Sequence, residues 1–495
     1  MAFWSSWFNS GQAPRPTNFA AGRDTRYLST VPSTQREINT LISSYGANAV
    51  ARARYMVLND PNIAGAINAL VDSIVGSGIK PSSLASDKVL REELNAMWLR
   101  STPYMDADGI FDGYGLQRLI AMEEAITGEC FIRVRKRRTT DGLEVPVQFQ
   151  VLPSEMLSTA LSQPASGRQN RIDCGIEFDL IGRRVAYHFF RQHPARSDWM
   201  KGADVYTRVP AEEVFHIYEP VFAGQLRGVS RMISVVATQA TLSAYDRAEL
   251  ERKRNAALFT GFIRRPTLED EDSVLGALGQ VNNDGVMQTE AELSPGAMVT
   301  LLPGEDVSFS SPADVGANYE AFRYAQQLRS ATGLGVPYHL FSGDVSRGNF
   351  SSQRIALMEF RRACTRKQDL TLIPMVCSKM RDAWLQAAVG VGVISIPAED
   401  KQAYTAKWIA PRFDWVDPMK DMQAEDLAVK SGFKSRSDVV ESFGYDAEEV
   451  DERRAQDKER EETLGIAPSP SASEAAPPAG DKSQRAPDPT EEDNQ

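Results

Sequence analysis

A long helical pattern at residues 229–258 and a second at 317–332 enclose a segment, 266–312, that carries nine acidic residues and not one lysine or arginine. This arrangement constrains the fold more than any other feature of the chain. At about 1.5 Å per residue the first helix is roughly 40 Å long, and it carries the chain far from its starting point. About 60 residues separate the two helices, so the second can return beside the first. The acidic segment is then expected at their far end as a small α/β insert, with its apolar run 297–302 as a strand and 273–280 as a helix. The cations of ERKRN, 251–255, fall in the last turns of the first helix, where they suit the helix dipole.

The return helix leads into an apolar run, GLGVPYHLF, and then a polar loop, 342–352, expected at the opposite end of the pair from the insert. The loop holds one cation, Arg347, and one acid, Asp344. Asn349, Ser351 or Ser352 can cap the helical tract that follows, 351–389. Pro374 lies inside that tract and predicts a kink or break.

Upstream, helical patterns are predicted around 36–42, 49–57, 62–75, 88–99 and 115–127. In 62–75 the apolar positions Ile63, Ile67, Leu70, Val71 and Ile74 fall on one face, after an Asp60-Pro61 start signal. A β-rich stretch follows. Cys130, Ile132 and Val134 alternate inward against Arg133, Arg135 and Arg137 outward, 145–152 alternates likewise, and 175–190 reads as a hairpin. The basic row around Arg133–138 reads as a solvated strand and turn rather than a nucleic-acid patch. The C-terminal 30 residues, rich in Pro, Ala, Ser and acids, are predicted to be disordered.

Length and composition exclude several classes. At 495 residues the chain is too long for one core. The nearest candidate for a membrane span, 384–396, is too short and is interrupted by Gln386. The N-terminus is aromatic but lacks a basic start and a continuous apolar run, so a soluble intracellular protein without a secretory signal is expected. Four cysteines without a CxxC pair and four histidines without ligand spacing predict free buried thiols and no structural zinc. There is no GxxxxGK-Ser/Thr loop, HExxH or GxSxG, and the acidic run Glu269, Asp270, Glu271, Asp272 points in several directions on any regular element. No enzyme and no cofactor is therefore assigned. Proteins that grip duplex DNA by its phosphates are usually basic; a net charge of −11 predicts that any nucleic acid is handled loosely.

The stretch 333–360, GLGVPYHLFSGDVSRGNFSSQRIALMEF, resembles a segment of the lambda-type portal proteins of tailed bacteriophages, in which a Leu-Gly-Val plus aromatic run precedes an Asp-x-Ser loop and an aromatic-Ser-Ser-x-Arg helix start. Here these positions are Leu334, Gly335, Val336, Tyr338, Asp344, Ser346, Phe350, Ser351, Ser352 and Arg354. The stretch beginning FDWVDPMKDMQ at Phe413 is similar to the family's aromatic-Val-Asp-Pro element, and GECFIRVR, LPSEM and RVPAEEVFHIY also fit.

The resemblance implies an α+β portal fold: an N-terminal arm (1–35), a wing (36–226), a first stem helix (227–262), a clip (263–312), a second stem helix (313–340), a tunnel loop (341–352), a long kinked helix (353–395), wing and crown helices (396–465) and a tail (466–495). It implies a homo-oligomeric ring of about twelve copies at one capsid vertex of the virion, assembled in the host cytoplasm, through which double-stranded DNA is packaged and ejected. Implied partners are the terminase large subunit, head-completion or neck proteins, and the major capsid or scaffold protein, with no membrane. Ser342, Gly343, Asp344, Val345, Ser346, Arg347, Gly348 and Asn349 would face DNA. Arg354, Arg361, Arg362, Arg366 and Lys367 are assigned either to the channel or to contacts with neighbouring subunits. Glu269, Asp270, Glu271, Asp272, Glu290, Glu292, Glu305 and Asp306 would dock the motor or neck. An overall acidic conduit would repel phosphate and lessen friction. The alternatives are a capsid-associated adaptor that never forms a channel and a metal-dependent nuclease subunit.

Overall fold

The computed structural model describes residues 36–167, 169–196, 205–257, 261–264, 306–309, 318–411, 413 and 417–465. The predicted arm, most of the acidic insert and the C-terminal tail lie outside the described residues. The chain divides into two units, Met1–Phe413 and Asp414–Gln495.

Four helices open the first unit: α1 (Ile38–Asn59), α2 (Pro61–Val75), α3 (Lys88–Ser101) and α4 (Gly113–Thr127), with strand β1 (Lys80–Ser83) between α2 and α3. The two patterns expected at 36–42 and 49–57 are one continuous helix. The stretch between them holds no proline, and a single Gly46 costs only about 1 kcal/mol. Asp60 starts α2 as the sequence indicates: its Oδ1 accepts from the amides of Asn62 and Ile63 at 3.0 and 3.1 Å, and Pro61 needs no partner. The predicted apolar face of α2 is buried in the main core.

Two antiparallel sheets follow. The first has the order β3-β2-β8, from β2 (Glu129–Lys136), β3 (Val147–Leu152) and β8 (Val214–Tyr218). The second runs β4-β5-β6-β7, from β4 (Arg171–Asp173), β5 (Ile176–Phe178), β6 (Arg184–Phe190) and β7 (Tyr206–Pro210). Alternation along β2 separates two cores. Cys130, Ile132 and Val134 join the main helical core, whereas Phe131 turns the other way to pack with Ile176, Tyr187, Phe189 and Val209.

A buried charge cluster ties these sheets to the segment ahead of the next helix. The Glu129 carboxylate accepts from Arg227 Nε at 2.9 Å, Arg227 Nη2 at 2.5 Å, the Gly228 amide at 2.7 Å and His216 Nε2 at 3.0 Å. Glu129 can only accept, so His216 Nε2 carries the proton. Arg184 Nη1, 3.3 Å from Nδ1, can only donate, so His216 is neutral. Burial lowers the His216 pKa to about 4. Burial would raise that of Glu129, but the Arg227 charge and the hydrogen bonds from His216 and Arg227 outweigh it and bring it to about 2. Gly128, at φ +87°, and Gly228 pass so close that a Cβ on either would overlap the other segment's backbone.

The remaining elements are α5 (Ile233–Ala257), β9 (Gly261–Arg264), β10 (Asp306–Phe309), α6 (Asn318–Leu334), α7 (Tyr338–Ser342) and α8 (Phe350–Lys367). A π-helical segment (Gln368–Cys377), α9 (Ser378–Gly390) and β11 (Ala406–Ile409) complete the unit, β11 pairing with β1. Pro374 neither breaks nor ends the long helical tract. It lacks an amide and crowds the preceding turn, and the wider π winding accommodates both defects. The second unit holds α10 (Pro418–Lys430), α11 (Arg436–Ser442) and α12 (Ala447–Leu464), each begun by a capping Asp417, Ser435 or Asp446. Among the described residues no helix is long and apolar enough to cross a membrane.

Arg227→Met would leave the Glu129 charge buried without its main partner and is expected to cost about 3–5 kcal/mol in urea unfolding. Both depressed pKa values have the same sign. The unfolded chain binds more protons, so stability falls as pH drops from about 6.5 toward 4 through His216, and from about 4.5 toward 2 through Glu129. His216→Gln should flatten the first of these slopes in a pH series of urea midpoints; an unaltered slope would show that His216 does not set it.

Candidate functional site

The site is built on α5 and α6, which lie side by side and antiparallel. Near one end a Cβ on Gly333 would press on Val235, and Ser330 Oγ donates to Gln239 Oε1 at 3.2 Å. Further along, Tyr319 donates to Asp246 Oδ1 at 2.8 Å, and Lys253 Nζ stands 5.6 Å from the Tyr319 ring centre. Strands β9 and β10 continue the same direction of pairing, Gly261 opposite Phe309 and Arg264 opposite Asp306, and so close the root of the insert. At the other end Gln239 Nε2 donates to Asp60 Oδ2 at 2.8 Å. The carboxylate that caps α2 therefore also holds the helix pair, through the buried chain Asp60, Gln239 and Ser330.

After α6 the chain turns at Gly335, φ +74°, and forms α7. Ser342 closes this short helix rather than belonging to the loop, and Gly343, also at φ +74°, caps it. The predicted second stem pattern through residue 340 is thus two helices, because Gly335 and Pro337 interrupt it. The loop proper is a built turn: Asp344 Oδ1 accepts from the Ser346 hydroxyl at 2.6 Å and its amide at 2.9 Å, which holds the carboxylate below its usual pKa. Asn349 Oδ1 caps α8 through the Ser352 amide at 2.8 Å, and Gln353 Nε2 donates to the Val345 carbonyl at 2.9 Å. The expectation that the loop sits opposite the insert is corrected. Arg347 is ion-paired with Glu320, lies 3.5 Å from Asp344, and places its guanidinium 4.8 Å over Tyr324. Glu320 is in the first turn of α6, about 21 Å up that helix from Leu334, so the loop is folded back along α6 toward the N-terminal end of that helix.

The other expected cations divide. Arg361 lies 5.4 Å over Phe413, Arg362 pairs with Glu359 at 2.8 Å, and Arg354 is partly buried. Arg366 reaches Glu219 at 3.0 Å; Lys367 is buried, with Nζ 2.6 Å from Glu124 and 3.6 Å from Glu219. Arg231 contacts Glu219 as well, at 3.1 Å. Arg366 and Lys367 thus hold α8 to α4 and to the base of α5. Glu124, Glu129, Glu219, Arg227 and Gln239 were not singled out from the sequence. The available signal was a polar residue on a buried face: Glu124 follows Ile120 by one helical turn.

Of the acids expected to form a clip, Asp306 lies in β10, while Glu269, Asp270, Glu271, Asp272, Glu290, Glu292 and Glu305 lie outside the described residues. Among the described residues no three His, Cys, Asp or Glu are grouped to hold a metal. All four cysteines are free and buried, and burial raises the Cys174 and Cys364 pKa values to about 11 and that of Cys377 to about 12; these thiols are poor nucleophiles.

An exposed ion pair contributes about 0.2–1 kcal/mol. Glu320→Gln should therefore speed hydrogen exchange at the amides of residues 343–348 by about 1.5- to 5-fold in the isolated chain. An unchanged rate would show that Arg347 does not hold the loop.

Residues 24–368 match the family described as phage portal protein, lambda family. The chain is 26% identical over 330 residues to the probable portal protein of Halomonas phage phiHAP-1, covering 64% of this chain and 61% of that one. It is 22% identical over 477 residues to the portal protein of Escherichia phage N15, covering 87% of each. A solved structure titled as the neck of an empty GTA particle computed with C6 symmetry covers 80% of this chain and 93% of its own, at 15% identity and a TM-score of 0.46. Proteins of this family are structural components of the capsid and not enzymes. With well over half of its length matched, the chain belongs to the lambda family of phage portal proteins.

Proposed function

We propose that about a dozen copies of this chain close into a ring at one vertex of the capsid, and that double-stranded DNA passes through its centre during packaging and ejection. In this reading α5 and α6 are the stem, the acidic insert rooted at β9 and β10 is the clip, and residues 343–349 are the tunnel loop. The long tract from α8 to α9 links wing to crown. The terminase large subunit and then neck proteins engage the clip, and capsid or scaffold protein surrounds the ring, which is assembled in the host cytoplasm and retained in the virion.

The observation that carries this reading is the antiparallel helix pair. Between its two helices the sequence carries an acidic insert, 266–312, that contains no lysine or arginine, and the pair bears along its flank a short loop with one cation. Such a surface suits a conduit rather than a clamp, since each lasting phosphate–cation contact adds friction that depends on salt. Arg347 is already satisfied by Glu320 and Tyr324. It can trade the carboxylate for a passing phosphate and return, so its contact with DNA is brief. Arg366 and Lys367 are committed within the chain and serve the frame.

Single-particle imaging with a mass determination on the same sample tests the ring: an open ring of about a dozen copies supports it, and a stable monomer at micromolar concentration overturns it. Replacing residues 345–347 by a single glycine, which spares the Asn349 cap, is expected to leave rings intact while lowering the yield of packaged DNA. Unimpaired packaging would remove the loop from the mechanism.

A further inference from the structure

Strand β2 bears a ridge of positive charge whose three arginines have no ion pair among the described residues. Arg133, Arg135 and Arg137 share one face, while the exposed Lys136 and Arg138 occupy the alternate positions at the end of the strand. The partners of the ridge are mostly neutral amides: Arg135 Nε donates to Gln150 at 2.9 Å and Arg137 Nε to Gln148 at 2.7 Å. Arg133 Nε is buried without a hydrogen-bond partner. The nearest carboxylates stand at the margin. Asp108 is held by Gln150 at 3.3 Å, and Glu213 is 3.8 Å from Lys136. The charges of Arg133 and Arg137 add to burial in depressing the Arg135 pKa, so the row repels itself.

The same subunit carries the complement. An open groove of about 480 Å³ is edged by Asp87, Glu93, Glu399 and Asp400, with Val89 and Pro397 between them. Lys88, beside it, turns to Glu92 at 3.7 Å. Apolar lining between carboxylates suits arginine, whose stem packs on apolar surface while its head seeks an anion. Helix α3 keeps the two surfaces apart: its first turns line the groove, whereas Arg100 in its last turn holds Glu144, in the β2–β3 connection, at 3.0 Å. Between Glu93 and Arg100 the helix rises about 10 Å, so the groove and the β2–β3 connection lie at different stations along α3.

We infer that the Arg133, Arg135 and Arg137 ridge of one copy docks in the acidic groove, at Glu93 and Glu399, of the next copy. The contact is head-to-tail, the geometry that closes into a ring or grows into an open filament. The inference rests on the ring reading above and names the surfaces that make it. A second copy fits the ridge better than DNA does, because the chain as a whole carries −11 and would repel a duplex around so short a basic row.

Charge exchange tests the pairing, with sedimentation and native mass at about 0.15 M salt as readouts. Arg135→Glu with Arg137→Glu, or Glu93→Arg with Glu399→Arg, should each raise the concentration needed for assembly at least about tenfold, with unchanged circular dichroism. The chain carrying all four substitutions should recover assembly. Open filaments from the unmodified chain that respond in the same way would support the contact and overturn the ring. An unmodified chain that stays monomeric overturns both. Rings that form equally well in the charge-reversed variants overturn the pairing alone, as does failure of the fourfold variant to recover. Intact rings with weakened retention of duplex DNA would also overturn it and assign the ridge to nucleic acid.

Discussion

The Glu129 carboxylate is the charge on which the first unit is assembled. It sits at the start of β2, immediately after the Gly128 that ends α4, and it takes its hydrogen bonds from β8 and from the segment that becomes α5. Alone at that depth it would cost several kcal/mol. With the Arg227 guanidinium, the Gly228 amide and a neutral His216 around it, the cost is offset and the geometry is narrow. The two glycines that let the backbones touch serve the same junction. Because Arg227 also donates to the carbonyls of Cys174 at 3.0 Å and Ser154 at 3.2 Å, one side chain joins the helical core, both sheets and the segment that leads into α5.

From that junction, order passes outward through polar links rather than through apolar packing alone. Asn39 of α1 holds the Gly224 carbonyl and the Leu226 amide at 3.0 and 2.9 Å. Asp60 serves α2 and, through Gln239 and Ser330, the helix pair. Glu219 gathers Arg231, Arg366 and Lys367 where α8 meets the π-helical segment. Hydrophobic burial supplies most of the stabilisation, but it is indifferent to small slides of one helix on another. The hydrogen-bonded links are not, and they fix the start of α5 against α2 and the end of α6. The loop at Arg347 is held by exposed contacts instead, which are weaker and readily exchanged.

Charge is distributed to match. The insert 266–312 carries no lysine or arginine, Arg366 and Lys367 at the end of α8 are paired with carboxylates of the same subunit, and the basic row on the sheet faces mostly neutral amides. A portal must let DNA slide while its own subunits hold together.

Local periodicity and turn chemistry were legible in the sequence. The apolar face of α2, its Asp60-Pro61 start and the alternation of β2 each follow from residues close together in the chain, where backbone geometry dictates which side chains share a face. The motifs of residues 333–360 likewise indicated the family. Other features depended on residues far apart. Periodicity does not say that Glu129 meets Arg227, 98 positions away, or that Arg347 lies back on Glu320. Nor does it say that Lys367 is spent on Glu124, 243 positions away. A buried ion pair is decided by which two segments the packed core brings within about 3 Å, and that proximity exists only once the chain has folded.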